Sequence, residues 1–227
     1  MDIQYADISK MIDHSLLQQT LTDEQLEAGC QLALDYDVAS VCIKPYYLKR
    51  CADILSGSTV KASTTIGFPH GGHLTKLKVA EAEAALGDGG QELDMVVNIG
   101  KVKSHDWDFV TADIKAVNDV TVARGQIVKV IFENCFLTDD EKIKLCEICG
   151  ELGVAFVKTS TGYGEDGATI EDLTLMRKHS PDHVQVKAAG GVRDYDKLLQ
   201  VRELGVTRVG ASRTKDMLDE CKRRLGV

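Results

Sequence analysis

The chain has 227 residues, 44% of them hydrophobic and 27% charged, a size and composition that one α/β barrel fills. A formal net charge of −8 argues against a nucleic-acid surface, which needs clustered Lys and Arg, and no stretch approaches the roughly 20 apolar residues that span a bilayer. The opening MDIQYADISK has neither the basic start and apolar run of a secretory signal nor an Arg-rich transit character, so the expectation is a soluble, cytoplasmic protein.

In chain order, Met11–Asp13 is a weak strand candidate, followed by helical spacing over Thr22–Tyr36 and a Val/Ile-rich run at Ser40–Ile43. Further buried-strand runs are Ala62–Gly67, Glu92–Asn98, Ile127–Phe132, Val154–Thr159, Val184–Ala188 and Arg208–Gly210. Between them lie helical patterns at Leu74–Leu86, Trp107–Ala123, Thr138–Glu151 and Ile170–Arg177, with Thr22, Thr138 and Asp194 as capping residues. Eight alternating strand and helix units predict a closed (β/α)8 TIM barrel in one domain over residues 1–227. A doubly wound sheet is the competitor, but no N-terminal glycine fingerprint supports it. The irregular stretch Gly67–His73 follows a strand and is a candidate wall of the site.

Two strands end in lysine, Phe156-Val157-Lys158-Thr159 and Val184-Gln185-Val186-Lys187-Ala188. A buried ammonium without compensation loses its proton more readily, and a second cation beside it adds to that effect, which makes a nucleophilic amine. A single strand-end lysine more often pairs with a carboxylate or reaches solvent. Two on consecutive strands beside glycine-rich loops, Lys158 and Lys187, point instead to function, one amine activated towards a carbonyl by the other. Asp94, in Glu92-Leu93-Asp94-Met95-Val96, must as a strand residue be paired or protonated, and either state suits proton transfer as well as a structural ion pair. Lys129 is a third strand lysine, and a salt bridge holding Asp94 is its most economical role.

Three small-residue loops follow the last three strands: Thr159-Ser160-Thr161-Gly162, Ala189-Gly190-Gly191 and Gly210-Ala211-Ser212. Their exposed backbone amides and hydroxyls suit a phosphorylated substrate. His70 and His73 lack a clear third metal ligand, so no metal or cofactor is expected. Seven cysteines read as reduced thiols, and the Cys146/Cys149 pair falls inside a helix, where a core role fits better than a redox one.

Together these segments, with Asp13-His14-Ser15-Leu16-Leu17, Val41-Cys42-Ile43, Thr65-Ile66-Gly67-Phe68-Pro69 and Lys187-Ala188-Ala189-Gly190-Gly191-Val192-Arg193, resemble the deoxyribose-phosphate aldolase family over most of the chain. The resemblance implies a class I aldolase that cleaves 2-deoxyribose 5-phosphate to glyceraldehyde 3-phosphate and acetaldehyde. It implies that Lys158 forms the imine, that Lys187 lowers its pKa or relays protons, and that Asp94 donates or accepts a proton. It places the phosphate on Gly162, Gly190, Gly191 and Ser212, with Asp13, Cys42 and Thr159 along the substrate path. Where the family often has a second small residue after Ser212, this chain has Arg213, which either adds a fork for phosphate or changes which anionic substrate fits. The alternatives are a Schiff-base aldolase of the same barrel type with another phosphorylated sugar or keto acid, a phosphate-binding barrel without catalysis, and a metal-dependent aldolase using His70 and His73. The chain is compatible with a homodimer.

Overall fold

The computed structural model describes residues 3–227. Short runs of β-branched and small residues form eight strands: β1 (Ile12–Leu16), β2 (Ser40–Ile43), β3 (Lys61–Ile66), β4 (Glu92–Val96), β5 (Ile127–Ile131), β6 (Phe156–Lys158), β7 (Gln185–Ala189) and β8 (Arg208–Ala211). They are parallel and follow chain order, and β8 pairs back with β1 to close the barrel. Such strands are covered on one side by helices and on the other by their own interior. They therefore read as continuous buried runs; every residue of β4 is buried.

Among the described residues, ten α-helices surround or flank the barrel: α1 (Tyr5–Ser9), α2 (Asp23–Asp35), α3 (Leu48–Leu55), α4 (Thr75–Gly87), α5 (Ile99–Lys103), α6 (Trp107–Val122), α7 (Asp139–Glu151), α8 (Ile170–His179), α9 (Tyr195–Glu203) and α10 (Thr214–Leu225). The expected caps are in place. Thr22 and Thr138 form reciprocal capping boxes with Gln25 and Glu141, and Asp194 accepts from the Lys197 amide. Helix α2 buries Leu26, Gly29, Cys30 and Ala33, the spacing of one helical face. Gly29 lets α2 lie close on β1: a Cβ there would stand 2.5 Å from Cδ2 of Leu16, so a larger residue needs the Leu16 side chain to move.

The short helices α1, α3 and α5 lie outside the patterns predicted above. Each is eight residues or shorter and shows at most two turns of periodicity; α3 buries Leu48, Cys51 and Leu55 but presents no more. Strand β1 runs three residues beyond the expected Asp13, because its alternation is interrupted by the polar pair His14 and Ser15. His14 faces outward, where Nδ1 lies 2.8 Å from the Thr214 hydroxyl on α10. All seven cysteines are free, and Cys146 and Cys149 are buried in α7 with thiols pushed upward by burial, the state of inert core cysteines. Among the described residues, no helix is long and apolar enough to cross a membrane.

Candidate active site

Side chains alternate along each strand, so residues two apart share a face. Glu92 and Asp94 on β4 both turn into the barrel, joined by Asp13 of β1, Lys129 of β5, Lys158 of β6, Lys187 of β7 and Arg208 of β8. Register brings them together: Asp94 sits opposite Lys129, Lys158 opposite Lys187, and Lys187 opposite Arg208. The result is a buried charged layer across the barrel interior, with the hydroxyls of Ser40 and Ser63 beside it.

Asp94 is its hub. Lys129 Nζ lies 2.8 Å from Oδ1, while Lys158 and Lys187 approach Oδ2 at 2.8 and 2.7 Å. Lys187 also reaches Asp13 Oδ2 at 2.5 Å, and Lys129 reaches Glu92 at 2.7 Å and Asp13 at 3.3 Å. Arg208 Nη1 closes the network on Asp13 Oδ1 at 2.6 Å and Glu92 Oε2 at 2.7 Å. Ser40 donates to Asp13 Oδ1 at 2.6 Å. Four basic groups thus share three carboxylates. Lys158 has one carboxylate partner, whereas each of the other three has at least two.

The proton affinities follow from that inequality. Burial pulls the Lys158 ammonium below the usual lysine range, Asp94 opposes the shift, and neighbouring Lys187 adds to it. Lys187 is also buried, but Asp13 and Asp94 outweigh the burial and raise its pKa. Lys129 is raised in the same way by Asp13, Asp94 and Glu92. For Asp94, burial favours the acid, yet Lys129, Lys158 and Lys187 prevail and hold it far below the ordinary carboxylate range. Of the two lysines on β6 and β7, Lys158 holds its proton less tightly than usual and Lys187 more tightly.

A cleft of about 370 Å³ opens above this layer at the carboxyl ends of the strands. Lys158, Lys187, Asp13 and Cys42 form its floor. Its rim is made by the three small-residue loops through Thr161, Gly162, Gly190, Gly191 and Ser212, joined by Arg193. The loop after β6 is locked to the end of β7. The Ala168 amide donates to Gly190 O at 3.0 Å, and the backbones meet so closely that a Cβ on Gly167 would fall 2.6 Å from the Gly190 carbonyl carbon.

Several residues expected at the site stand outside the cleft lining. Lys129 and Asp94 are fully buried beneath the floor and support it through their ion pairs. Thr159 does not line the path: its hydroxyl donates to Ala189 O at 3.1 Å and ties β6 to β7. Arg213 is exposed at the N-cap of α10 and is not part of the cleft lining. The Gly67–His73 stretch contributes no lining residue; its Phe68 packs edge-on against Tyr163, with ring centres 5.5 Å apart, and Tyr163 forms that side of the cleft. No group of three or more His, Cys, Asp or Glu able to hold a metal occurs among the described residues, His70 and His73 included.

The sequence reading passed over Glu92, Arg208 and Arg193. Glu92 lies two residues before Asp94 and so shares its face, a signal present in the sequence; Arg208 opens the run Arg208–Gly210, and only the closed barrel sets it against Asp13 and Glu92. Glu133 was also missed. It is buried in a left-handed backbone conformation, accepts from the Thr161 amide at 3.0 Å and from the Thr161 hydroxyl, and so shapes the rim loop.

The sequence profile described as "DeoC/LacD family aldolase" matches residues 8–212. The chain belongs to this aldolase family. A deoxyribose-phosphate aldolase of Rhodopirellula baltica is 63% identical over 226 residues, covering 100% of this chain and 94% of the relative. The deoxyribose-phosphate aldolase of Clostridium tetani is 45% identical over 217 residues, covering 95% and 100%. Among solved structures, "QR15, an Aldolase" superposes with a TM-score of 0.91 at 35% identity, covering 97% of this chain and 99% of that one. The tetrameric deoxyribose phosphate aldolase of Aeropyrum pernix gives 0.89 at 26% identity, covering 96% and 92%.

Proposed function

We propose that the chain cleaves 2-deoxyribose 5-phosphate reversibly to glyceraldehyde 3-phosphate and acetaldehyde through an imine on Lys158. The observation that carries this reading is the lone carboxylate partner of Lys158 within a network that has one cation in excess. The neutral amine adds to the C1 aldehyde of the open-chain sugar. The carbinolamine loses water to give an iminium, which draws the electron pair of the C2–C3 bond as that bond breaks and the C3 hydroxyl gives up its proton. Glyceraldehyde 3-phosphate leaves. The enamine that remains is protonated at carbon, and water releases acetaldehyde.

Lys187 is the group suited to supply and recover protons, because it is protonated, lines the cleft floor and lies against the same carboxylate oxygen as Lys158. Asp94, held among the side chains of Lys129, Lys158 and Lys187, is too weakly basic to carry the proton itself. Its role is to hold Lys158 and Lys187 together and to stabilise positive charge on either. The phosphate belongs at the rim, where Gly162, Gly190, Gly191 and Ser212 present backbone and hydroxyl donors and Arg193 adds charge. The substrate is thus a small phosphorylated sugar.

Borohydride reduction in the presence of 2-deoxyribose 5-phosphate tests the assignment. A single adduct mapped to Lys158, with loss of activity, is the expected result. In Lys158→Ala both the adduct and turnover disappear, the latter by about 10³-fold or more, while the circular dichroism spectrum is kept. Trapping at another lysine, or substantial activity in the variant, refutes the reading.

A further inference from the structure

Arg208 and Glu92 lie in the lower part of the barrel and line no part of the cleft. Both are wired into the layer above: Arg208 through Asp13, which also holds Lys187, and Glu92 through Lys129, which also holds Asp94. Arg208 is fixed further by the Phe156 ring, 5.0 Å from its guanidinium carbon. An arginine stays charged throughout the accessible pH range. It therefore makes the fourth positive charge permanent, and the layer can reach neutrality only if one lysine is unprotonated.

Lys158 is faced by Asp94 from β4, Lys187 from β7 and Cys42 from β2. Behind these stand Asp13, Lys129, Glu92 and Arg208 on β1, β5, β4 and β8. Lys129 and Lys187 are each held by two or more carboxylates, so the unprotonated lysine is Lys158.

Building on the proposed role of Lys158, we propose that Arg208 and Glu92 are positioning residues that set the protonation state of Lys158 through the charge balance of the buried layer, without touching substrate. Loss of the Arg208 charge leaves three cations for three carboxylates and strengthens the hold of Lys158 on its proton. Loss of the Glu92 charge does the opposite.

The test is the rate of reductive alkylation of Lys158 by acetaldehyde and cyanoborohydride as a function of pH, with the modified peptide identified by mass spectrometry. Arg208→Met is expected to move the midpoint of the profile up by roughly half a unit to one unit, and Glu92→Gln to move it down by a similar amount. Arg208→Lys, which keeps the charge, should restore the wild-type midpoint, and the double variant Arg208→Met/Glu92→Gln should fall between the two single variants. A merely structural role would lower the yield of folded protein without moving midpoints in opposite directions. If Arg208→Met does not fold, Glu92→Gln decides the matter, since it keeps the side-chain shape: an unmoved or raised midpoint overturns the inference. Trapping of the wild type away from Lys158 overturns the site assignment and this inference together, whereas trapping at Lys158 with unmoved midpoints overturns the inference alone.

Discussion

Lys158 and Lys187 are register partners on neighbouring strands and place their amines on the same oxygen of Asp94, at 2.8 and 2.7 Å. They differ in what else they touch. Lys187 has Asp13 at 2.5 Å, and Lys158 has no second carboxylate. That geometric asymmetry lowers the proton affinity of Lys158 and raises that of Lys187.

Replacing Lys187 by Leu removes the nearby ammonium and leaves Asp94 to favour protonated Lys158. The activity profile of Lys187→Leu should therefore move to higher pH, by roughly one unit. Turnover at neutral pH should fall by about 10²- to 10⁴-fold, because the proton donor is lost as well. Steady-state rates across pH 6–10 check this; an unmoved profile would mean that the two amines do not interact.

Asp94→Asn has two consequences. Turnover should drop by about 10²-fold or more with little change in KM, because Lys158 and Lys187 lose their common anchor while the rim is untouched. Stability should fall too, by about 3–5 kcal/mol, since the buried ammonium groups of Lys129 and Lys187 lose a counter-charge. Thermal melts beside kinetics separate the two effects, and a variant as stable as wild type would remove Asp94 from its place as hub.

For the phosphate, Arg193 and Arg213 make opposite predictions. Arg193→Ser should raise KM for the phosphorylated sugar by about ten-fold with kcat nearly kept, and leave the unphosphorylated sugar unaffected. Arg213→Ser, at an exposed helix start away from the cleft, should change neither by more than about two-fold. Parallel titrations with both sugars distinguish the two arginines.

His14 predicts a pH dependence of folding. Burial lowers its pKa from 6.5 to about 4, so in the folded chain it stays neutral while the unfolded chain takes up a proton below about 6.5. Stability from this group is complete above that value and is lost as pH falls toward 4, by up to about 3 kcal/mol. Denaturant titrations at pH 7 and pH 4.5 should show the loss. In His14→Asn, which keeps a polar atom for Thr214, this part of the pH dependence should vanish.

The alternation of Val/Ile-rich runs with capped helical segments, and the spacing of turns between them, already determined the barrel, because parallel strands covered on both sides must be apolar and must return through a helix. Lysines at the ends of two such runs, and a carboxylate inside a third, were legible as candidate chemistry for the same reason: charge in an apolar strand is too costly to be incidental. What the linear chain does not contain is register. Which carboxylates meet which lysines depends on the stagger of eight strands around the closed barrel, and that stagger alone gives Lys187 two partners and Lys158 one. It also brings Arg208 under the site from a strand that ends far along the chain, and it turns Arg213, next to Ser212 in sequence, onto the first turn of α10 and away from the cleft. The sequence put two lysines and a carboxylate into apolar strands; the closed barrel gave the two lysines unequal partners, and with them unequal hold on their protons, because proton affinity in a buried layer is set by the count and distance of neighbouring charges.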